Sequence, residues 1–570
     1  MCGVSSPAET LVRNHVASRV HAKDATLYDF SDEALDSASK FMGWTDLSSN
    51  PPIPIDELVA FAQSVIDEGL DRVALLGEGG SSQAPMTITK LNAASHADIR
   101  FSTLDSLSPI YLNKVMRDID YAHAFFIVSS KSGGTLETLS MFKLIWEDCA
   151  RQLGEEAAGR RFVAITDPGT KLEKIAAEKH FRGCFLGSPQ VGGRFSGMSV
   201  FGLLPAALCG LDVHKLVDCA ADMERLCAQD TPDNPAIQLA DFLLRNLSPA
   251  SANCFTYISP QPGRVFGLWM EQLIAESLGK DNHSVVPHIE IDVNLLNHYQ
   301  PRHPVVIYHT SPDTTFDREA SLLSPEVPQR SYVLEDPIEI GRHFVLWEYA
   351  VAFMGYLMQV PPFNQPDVQL AKTMTKDVLN GGMPQRTHRL EEPWIVAEYS
   401  DAFERETGIV DPTRMRSLDE VLDALFGLVK PGEWASVNAF LPFTGERRGP
   451  MEVIRHTLAR ILQIPTSLEI GPRYLHSTGQ LQKGGENTGI FVILSAYEDG
   501  DIEIPGEDYS LNKIEVSQSR GDLAALSSRG RRAIRLHMMD SDADTLWRLA
   551  HAFEDAGLRH AIRMATAKEA

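Results

Sequence analysis

The chain has 570 residues, of which 44% are hydrophobic and 22% are charged, and its formal net charge is −24. This length is enough for three or four domains of ordinary size, and the composition is that of a folded globular protein. The negative charge disfavours broad contact with nucleic acid or an anionic membrane surface, because both are polyanions. An anionic small molecule must therefore be held by a local cationic site.

The seven cysteines include no Cys-x-x-Cys pair, so they predict neither a disulfide framework nor a zinc knuckle. We expect a reducing, cytoplasmic compartment, since residues 1–6 do not resemble the start of a signal peptide. The most apolar stretch, residues 197–211, is too short to span a bilayer and contains Pro205. No metal-ligand spacing such as His-Glu-x-x-His is present, and we expect no metal and no cofactor.

The N-terminal half of the chain changes character near residue 54. Residues 1–54 are polar and end in a proline-rich stretch, which predicts an N-terminal helical extension. In residues 55–230, apolar runs alternate with helical patterns, and small polar residues follow each run; the runs are 72–76, 124–128 and 162–166. Such continuous apolar strands predict a parallel sheet covered by helices on both faces.

The rest of the chain repeats the alternation of strands and helices. Residues 231–392 contain strand-like runs at 252–258, 304–308 and 332–334 and a long helical pattern at 340–358. Residues 393–570 contain strand-like runs at 435–441 and 489–494, each with helical patterns nearby. We therefore predict two tandem α/β domains with parallel sheets, followed by a third α/β or α+β domain.

The loop at residues 77–82, Gly-Glu-Gly-Gly-Ser-Ser, follows the first predicted strand. Its glycines let backbone N–H groups approach a ligand at the start of the next helix, although glycine-rich turns also occur without any ligand. Ser82 stands where the dinucleotide-binding fingerprint needs its third glycine. The loop therefore does not favour a nicotinamide cofactor.

A second loop, at residues 129–138, offers hydroxyl groups, Lys131 and two glycines between a strand and a helix. These donors suit a phosphate monoester, while ordinary capping of the helix is the alternative interpretation. Two hydroxyl-rich loops after two strands of one sheet favour phosphate binding, because ligands bind outside the carboxyl ends of parallel strands.

Two further residues carry charges in unusual positions. Arg194 lies beside two glycines and before an apolar helix, where a fixed guanidinium could stabilise negative charge that develops in a reaction, although most arginines are simply solvated. Glu276 ends a predicted helix, a position that the helix dipole disfavours, so it is either incidental or retained for use. Residues 362–372 predict an amphipathic helix with Gln365 at its cap and Lys372 about two turns in.

Five segments, taken in chain order, resemble the site segments of the glucose-6-phosphate isomerase family, which is built from two sugar isomerase (SIS) domains of flavodoxin-like type. They are residues 77–82, 129–138, 191–196, 272–280 and 362–372. The motifs that carry the resemblance are Ser-Lys-Ser-Gly-Gly-Thr-x-Glu-Thr, Gly-Gly-Arg-Phe-Ser, Glu-Ser-x-Gly-Lys and Gln-Pro-x-Val-x-x-x-Lys. The similarity covers roughly residues 56–374. Residues 22–27 and 471–480 resemble the isomerase half of fused transaldolase/glucose-6-phosphate isomerase proteins.

The resemblance implies an isomerase of glycolysis and gluconeogenesis that interconverts glucose 6-phosphate and fructose 6-phosphate through a cis-enediolate, without a cofactor. Glu276 would be the base that moves a proton between C1 and C2, and Arg194 would stabilise the enediolate. Lys372 would assist ring opening or bind the ring oxygen. The implied substrate-binding residues are Gly79, Gly80, Ser81, Ser130, Lys131, Ser132, Thr135 and Gln365.

The chain departs from the family pattern in three places. Glu78 stands where the family usually has an apolar residue, and residues 188–190 stand where an acidic residue is common. The family's Gly-Thr-Asn-x-Gln-His segment, with its ring-opening histidine, is not recognisable between Glu276 and Ile340, and the histidines of that interval, His283, His288 and His298, have other contexts. Our hypothesis is that His476 opens the sugar ring.

Three alternatives to this interpretation stay open. A sugar-phosphate sensor without catalysis would keep the phosphate loops, but the presence of Glu276 and Lys372 argues against it. A transaldolase needs a Schiff-base lysine on a barrel of about 250 residues, for which the chain has no room. Added activity on mannose 6-phosphate also fits the motifs. The expected partners are a small sugar phosphate and, in a homodimer, a second copy of the chain.

Overall fold

The computed structural model describes residues 5–96, 98–290, 292–299, 302–310, 313–382, 388–409 and 414–569. The chain begins with three short helices, α1 (Pro7–Arg13), α2 (Val16–His21) and α3 (Asp32–Phe41). Their apolar sides are buried against the rest of the protein, and the Tyr28 hydroxyl donates a hydrogen bond to the Ala352 carbonyl oxygen (3.0 Å).

The first sheet has five parallel strands: β1 (Arg72–Leu76), β2 (Arg100–Leu104), β3 (Ala124–Ser129), β4 (Phe162–Thr166) and β5 (Gly183–Leu186). Their spatial order, β2-β1-β3-β4-β5, is that of flavodoxin-like folds. The helices of this region are α4 (Ile55–Asp67), α5 (Gly80–Leu91), α6 (Pro109–Asp118), α7 (Leu136–Leu153), α8 (Glu155–Gly159), α9 (Lys171–Glu178), α10 (Val200–Leu208) and α11 (Val213–Cys227). All residues of β3 and β4 are buried, which explains their continuous apolar sequences.

The second sheet has four parallel strands: β6 (Cys254–Ile258), β7 (Val286–Ile289), β8 (Val305–Thr310) and β9 (Gln329–Leu334). The order β7-β6-β8-β9 repeats that of the first sheet. The helices are α12 (Pro235–Asn246), α13 (Arg264–Leu278), α14 (Val293–His298), α15 (Thr314–Ala320), α16 (Ile340–Met358) and α17 (Pro366–Leu379). The two tandem parallel sheets confirm the fold class predicted for this part of the chain.

The third sheet is mixed and has six strands: β10 (His388–Arg389), β11 (Ile395–Tyr399), β12 (Trp434–Phe440), β13 (Thr466–Ile470), β14 (Gly489–Ala496) and β15 (Arg532–Met538). Its order is β10-β11-β15-β14-β12-β13. Strands β12 to β15 are parallel and repeat the same order, while β11 runs antiparallel to both of its neighbours. The helices are α18 (Asp401–Thr407), α19 (Leu418–Leu428), α20 (Gly445–Leu462), α21 (Gly479–Gly484), α22 (Leu511–Ser528) and α23 (Ala543–Glu569).

Close helix contacts join the three sheets into one body. Helix α13 packs on α5, and α17 packs on α22. The latter contact needs a glycine, because a Cβ on Gly521 would lie 2.7 Å from the backbone nitrogen of Thr375. These contacts bring strand ends and helix ends of all three sheets to one central region.

Two features of the whole fold concern membrane-spanning helices and cysteines. Among the described residues, no helix is both long enough and apolar enough to cross a membrane. The six cysteines in the described ranges are free thiols, and Cys2 lies outside those ranges.

Candidate active site

Two glycines at the start of α5 bring separate parts of the chain together. Gly79 has a φ of 57°, and a Cβ there would lie 2.9 Å from the carbonyl oxygen of His476 and 3.0 Å from Nε2 of Gln272. A Cβ on Gly80 would lie 2.0 Å from the carbonyl oxygen of Gly193. The loop after β1 therefore directly contacts Gln272, from the region of the second sheet, and His476, from the region of the third sheet. Residues larger than glycine would force these parts of the chain apart.

The buried pair of Arg194 and Glu276 lies at the centre of this region. Arg194 Nη1 donates to Glu276 Oε2 (3.2 Å), and its Nε donates to Ser277 Oγ (2.7 Å). Both side chains are almost completely buried. The other bonds of the guanidinium go to the carbonyl oxygens of Pro362 (2.6 Å) and Asn364 (3.0 Å) and to the Gln365 amide oxygen. The arginine is thus fixed in position, with its charge beside the carboxylate.

Burial raises the pKa of Glu276, and the positive charge of Arg194 and a hydrogen bond from Gln272 offset only part of that rise. A carboxylate whose pKa is raised towards neutral pH is suited to both accept and return a proton. The carboxylate lies in the last turn of α13, as the sequence predicted. Its unfavourable place at the helix C-terminus is compensated by Arg194.

The loop after β3 leads into α7, whose N-cap is Thr135. The Thr135 side chain makes no capping hydrogen bond, and its Oγ1 lies 2.8 Å from Ser130 Oγ. Ser132 is exposed at the tip of the loop. These hydroxyls and the positive end of an 18-residue helix form an arrangement that can receive an anion. Lys131 is engaged elsewhere, because its ammonium group pairs with Asp167 and donates to the Ser188 carbonyl oxygen (3.0 Å).

His476 lies beside the phosphate loop although 339 residues separate it from its partner in the sequence. Its Nε2 is 3.2 Å from Oε1 of Glu137, which also accepts a hydrogen bond from Gln518 (2.6 Å). Burial would raise the pKa of Glu137, but the charge and hydrogen bond of His476, with a smaller effect of Lys372, lower it to about 2. Glu137 is therefore ionised and holds the imidazole in place.

Sequence reasoning missed the role of Glu137, although this residue is the glutamate of the phosphate-loop motif. It also missed Lys280, which is buried and donates to Asn364 Oδ1 (2.9 Å), so that it holds the loop that contacts Arg194. Gln365, the N-cap residue of α17, contacts Arg194, whereas the resemblance assigned it to the phosphate. Lys372 is exposed on the same helix.

Glu78 is buried, and neither of its carboxyl oxygens has a hydrogen-bond partner among the described residues. Burial and the nearby charges of Asp105 and Glu137 raise its pKa well above the ordinary value. Its surroundings therefore favour the protonated form of the side chain.

The histidines between Glu276 and Ile340 have other surroundings. His288 is buried in β7, where its Nδ1 lies 3.2 Å from Thr256 Oγ1, and burial lowers its pKa to about 4. His283 contacts the carbonyl oxygen of Asp281, and His298 ends α14. Within the described ranges, no cluster of three or more His, Cys, Asp or Glu side chains is arranged to hold a metal ion.

The fold is that of an α/β protein with tandem doubly wound sheets, and loops rich in glycine and hydroxyl groups follow strands of the first sheet. Residues 63–291 match the family model of phosphoglucose isomerase. Over this segment the chain is similar to the phosphoglucose isomerase family. The matched segment includes Arg194 and Glu276 but neither Lys372 nor His476.

Curated relatives are similar to this chain in sequence, and a solved structure is similar to it in fold. The glucose-6-phosphate isomerase of Mycoplasmopsis pulmonis is 29% identical over 384 residues, which cover 59% of this chain and 89% of the relative. That of Methanocaldococcus jannaschii is 26% identical over 362 residues, covering 55% and 88%. The crystal structure of a hypothetical protein from Thermus thermophilus has a TM-score of 0.54 at 23% identity, covers 65% of this chain and 95% of that one, and supports the fold alone.

Proposed function

We propose that this chain is a glucose-6-phosphate isomerase, which interconverts glucose 6-phosphate and fructose 6-phosphate. The observation that carries the proposal is the buried pair of Arg194 and Glu276. Arg194 Nη1 lies 3.2 Å from Glu276 Oε2, and the pKa of this carboxylate is raised. Moving a proton between two carbons beside a carbonyl needs such a base and a fixed cation for the enediolate oxygen. The family match and the relatives' names support the same reaction.

In this mechanism, Ser130, Ser132, Thr135 and the N-terminus of α7 bind the phosphate, and the segment Gly79–Ser81 lines the sugar. His476, oriented by Glu137, opens the ring by moving a proton between O1 or O2 and the ring oxygen. Lys372 assists from α17. Glu276 then removes the proton from C2 of the aldose, or from C1 of the ketose, and returns it to the other carbon.

Arg194 stabilises the negative charge of the cis-enediolate between these two proton transfers. Its existing bonds to backbone carbonyls keep the guanidinium from reorienting, so little reorganisation accompanies the appearance of charge. The positive charge of Arg194 also favours the ionised form of Glu276, which makes it easier for Glu276 to return the proton to the substrate. The pair therefore works as one acid–base unit.

The finer assignments are part of the same proposal. We expect a cytoplasmic enzyme whose partner is a small sugar phosphate, with a homodimer and activity on mannose 6-phosphate as further hypotheses. The likeness to fused transaldolase proteins likewise stays a prediction. A non-catalytic sensor is less consistent with a base whose pKa is raised and a cation held against it.

The test is fructose 6-phosphate conversion, followed by coupling to glucose-6-phosphate dehydrogenase. Glu276→Gln keeps the shape of the side chain but removes the base, so we expect kcat to fall by about 10²–10⁴-fold. The matched control is Glu271→Gln, another buried carboxyl on α13, which should keep the parent rate within a few fold. An inactive parent would favour the sensor, and an active Glu276→Gln would refute the base assignment.

A further inference from the structure

A cleft of about 670 Å³ opens in the third sheet region, away from the candidate active site. Its polar wall includes Arg535 and His537 of β15 and Arg520 of α22. Tyr497, just after β14, and Met539 form part of its mouth. We name this space the β15 cleft; its size is that of small-molecule sites, about 300–1,000 Å³.

The polar wall of the β15 cleft has one more positive than negative charge. Glu398 of β11 lies between two arginines, accepting from Arg520 Nε (3.2 Å) and Nη2 (2.9 Å) at Oε1 and from Arg535 at Oε2. All three side chains are largely or wholly buried. One carboxylate neutralises one guanidinium, so the trio carries a net charge of +1 in a chain that is strongly negative elsewhere.

His537 adds an unpaired donor to this wall. The residue is 5% exposed, and its Nδ1 accepts a hydrogen bond from Arg535 Nη2 (3.0 Å). Burial, aided by the arginine charges, lowers its pKa to about 3, so the ring is neutral and its remaining proton is on Nε2. In the described ranges this buried Nε2 has no hydrogen-bond partner, although the ring lines the cleft. An unsatisfied buried donor costs about 1–3 kcal/mol, which an acceptor on a ligand would remove.

The mouth of the cleft exposes large apolar side chains. Tyr497 is 52% exposed, Met415 49% and Met539 40%, and all three line the same space. The Tyr497 ring also packs edge-on against His537, with ring centroids 4.6 Å apart. Exposed apolar surface beside a few buried polar groups is typical of a binding site for a molecule with an apolar body.

We propose that the β15 cleft binds a small organic monoanion, an aromatic or aliphatic carboxylate. Its carboxylate would accept hydrogen bonds from Arg520 and from Nε2 of His537, and its apolar body would lie against Tyr497 and Met539. Arg389, Glu391 and Glu392 also line the cleft, and their net charge of −1 opposes a second negative charge on the ligand. This ligand is distinct from the sugar phosphate of the proposed reaction, and its site does not depend on that reaction.

The experiment titrates the full chain with benzoate by isothermal calorimetry, in an excess of fructose 6-phosphate that occupies the proposed catalytic site. We expect saturable binding of one benzoate, and at least tenfold weaker binding of benzamide, which has the same shape without the charge. Met539→Glu adds a repelling charge at an exposed position and should weaken benzoate binding at least tenfold, as should Arg520→Gln. Arg559→Gln, on α23 outside the cleft, is the matched control and should bind as the parent does.

Circular dichroism and isomerase activity show whether each variant is folded. Absence of saturable benzoate binding to the parent would overturn the proposal. Equal affinity of the parent and the folded Met539→Glu variant would overturn it as well. Tighter binding of phenyl phosphate than of benzoate would contradict the assignment to a singly charged ligand.

Discussion

The first and third sheets have the same order of parallel strands, but their strand ends carry different chemistry. In the first sheet, β1 and β3 end in loops of glycine, serine and threonine that can surround a phosphate ester. In the third sheet, β13 is followed by the segment Arg473–His476, which reaches across to the first sheet's loops. The proposed phosphate site is therefore local in sequence, whereas the proposed acid–base site is assembled from distant parts of the chain.

A large effect is expected where the first sheet's region meets the second, at Arg194. Arg194→Lys keeps a charge but cannot make the same set of five contacts, and the enediolate would lose its fixed guanidinium. We expect kcat/KM for fructose 6-phosphate to fall by about 10²–10³-fold. Arg225→Lys, at an exposed pair with Asp222, is the control and should leave kcat/KM unchanged. A loss of less than fivefold in Arg194→Lys would contradict the role.

A smaller effect tests the contact between the first and third sheets. Glu137→Gln removes the negative charge that orients His476 while keeping the hydrogen bond to Gln518 feasible. Steady-state kinetics should show kcat lowered by about tenfold to a hundredfold, a part of the usual contribution of general acid–base catalysis. Glu147→Gln, exposed on the same helix, provides the comparison. If kcat were unchanged, the two regions would be in contact without cooperating in catalysis.

The smallest effect on activity is expected at Glu78, which is buried between the two regions. The pKa of Glu78 is raised well above the ordinary value of 4.5, so the folded state holds this proton more tightly than the unfolded state does. As the pH rises above 4.5, the unfolded state gives up the proton first, and Glu78 therefore lowers the stability of the folded state more and more. Glu78→Gln should therefore keep its activity within about twofold and raise the thermal unfolding midpoint more at pH 8 than at pH 5, by about 2 °C or more. Glu57→Gln, at an exposed position, should show no such pH dependence. A variant that lost stability at pH 8 would mean that the Glu78 carboxyl is ionised.

The sequence predicted the secondary structure well where a strand or helix is a continuous apolar run. The runs at 72–76 and 162–166 are strands with the predicted bounds, and the helix at 340–358 was predicted over its full length. Strand β15 was not predicted, because its sequence alternates apolar residues with Arg535 and His537. In the fold, Arg535 is buried beside its partner Glu398 of β11, and His537 is buried beside Arg535.

The candidate site could be predicted in the same uneven way. Arg194 and Glu276 were singled out from their motifs, and the structure brings them into contact. The contact of Glu137 with His476 could not be derived, because no periodicity or spacing connects residues so far apart in the chain. The order of the third sheet and the close approach of Gly79 to His476 create that contact, and both appear only in three dimensions.

In the proposed mechanism, the third sheet's region supplies the group that opens the sugar ring. The most direct test compares His476→Ala with the parent in two assays, fructose 6-phosphate isomerisation and enzyme-dependent interconversion of the sugar's anomers. We predict that both rates fall by about 10²–10⁴-fold, while His551→Ala, at an exposed position on α23, keeps both. Unchanged rates of both reactions in a folded His476→Ala variant would contradict the claim.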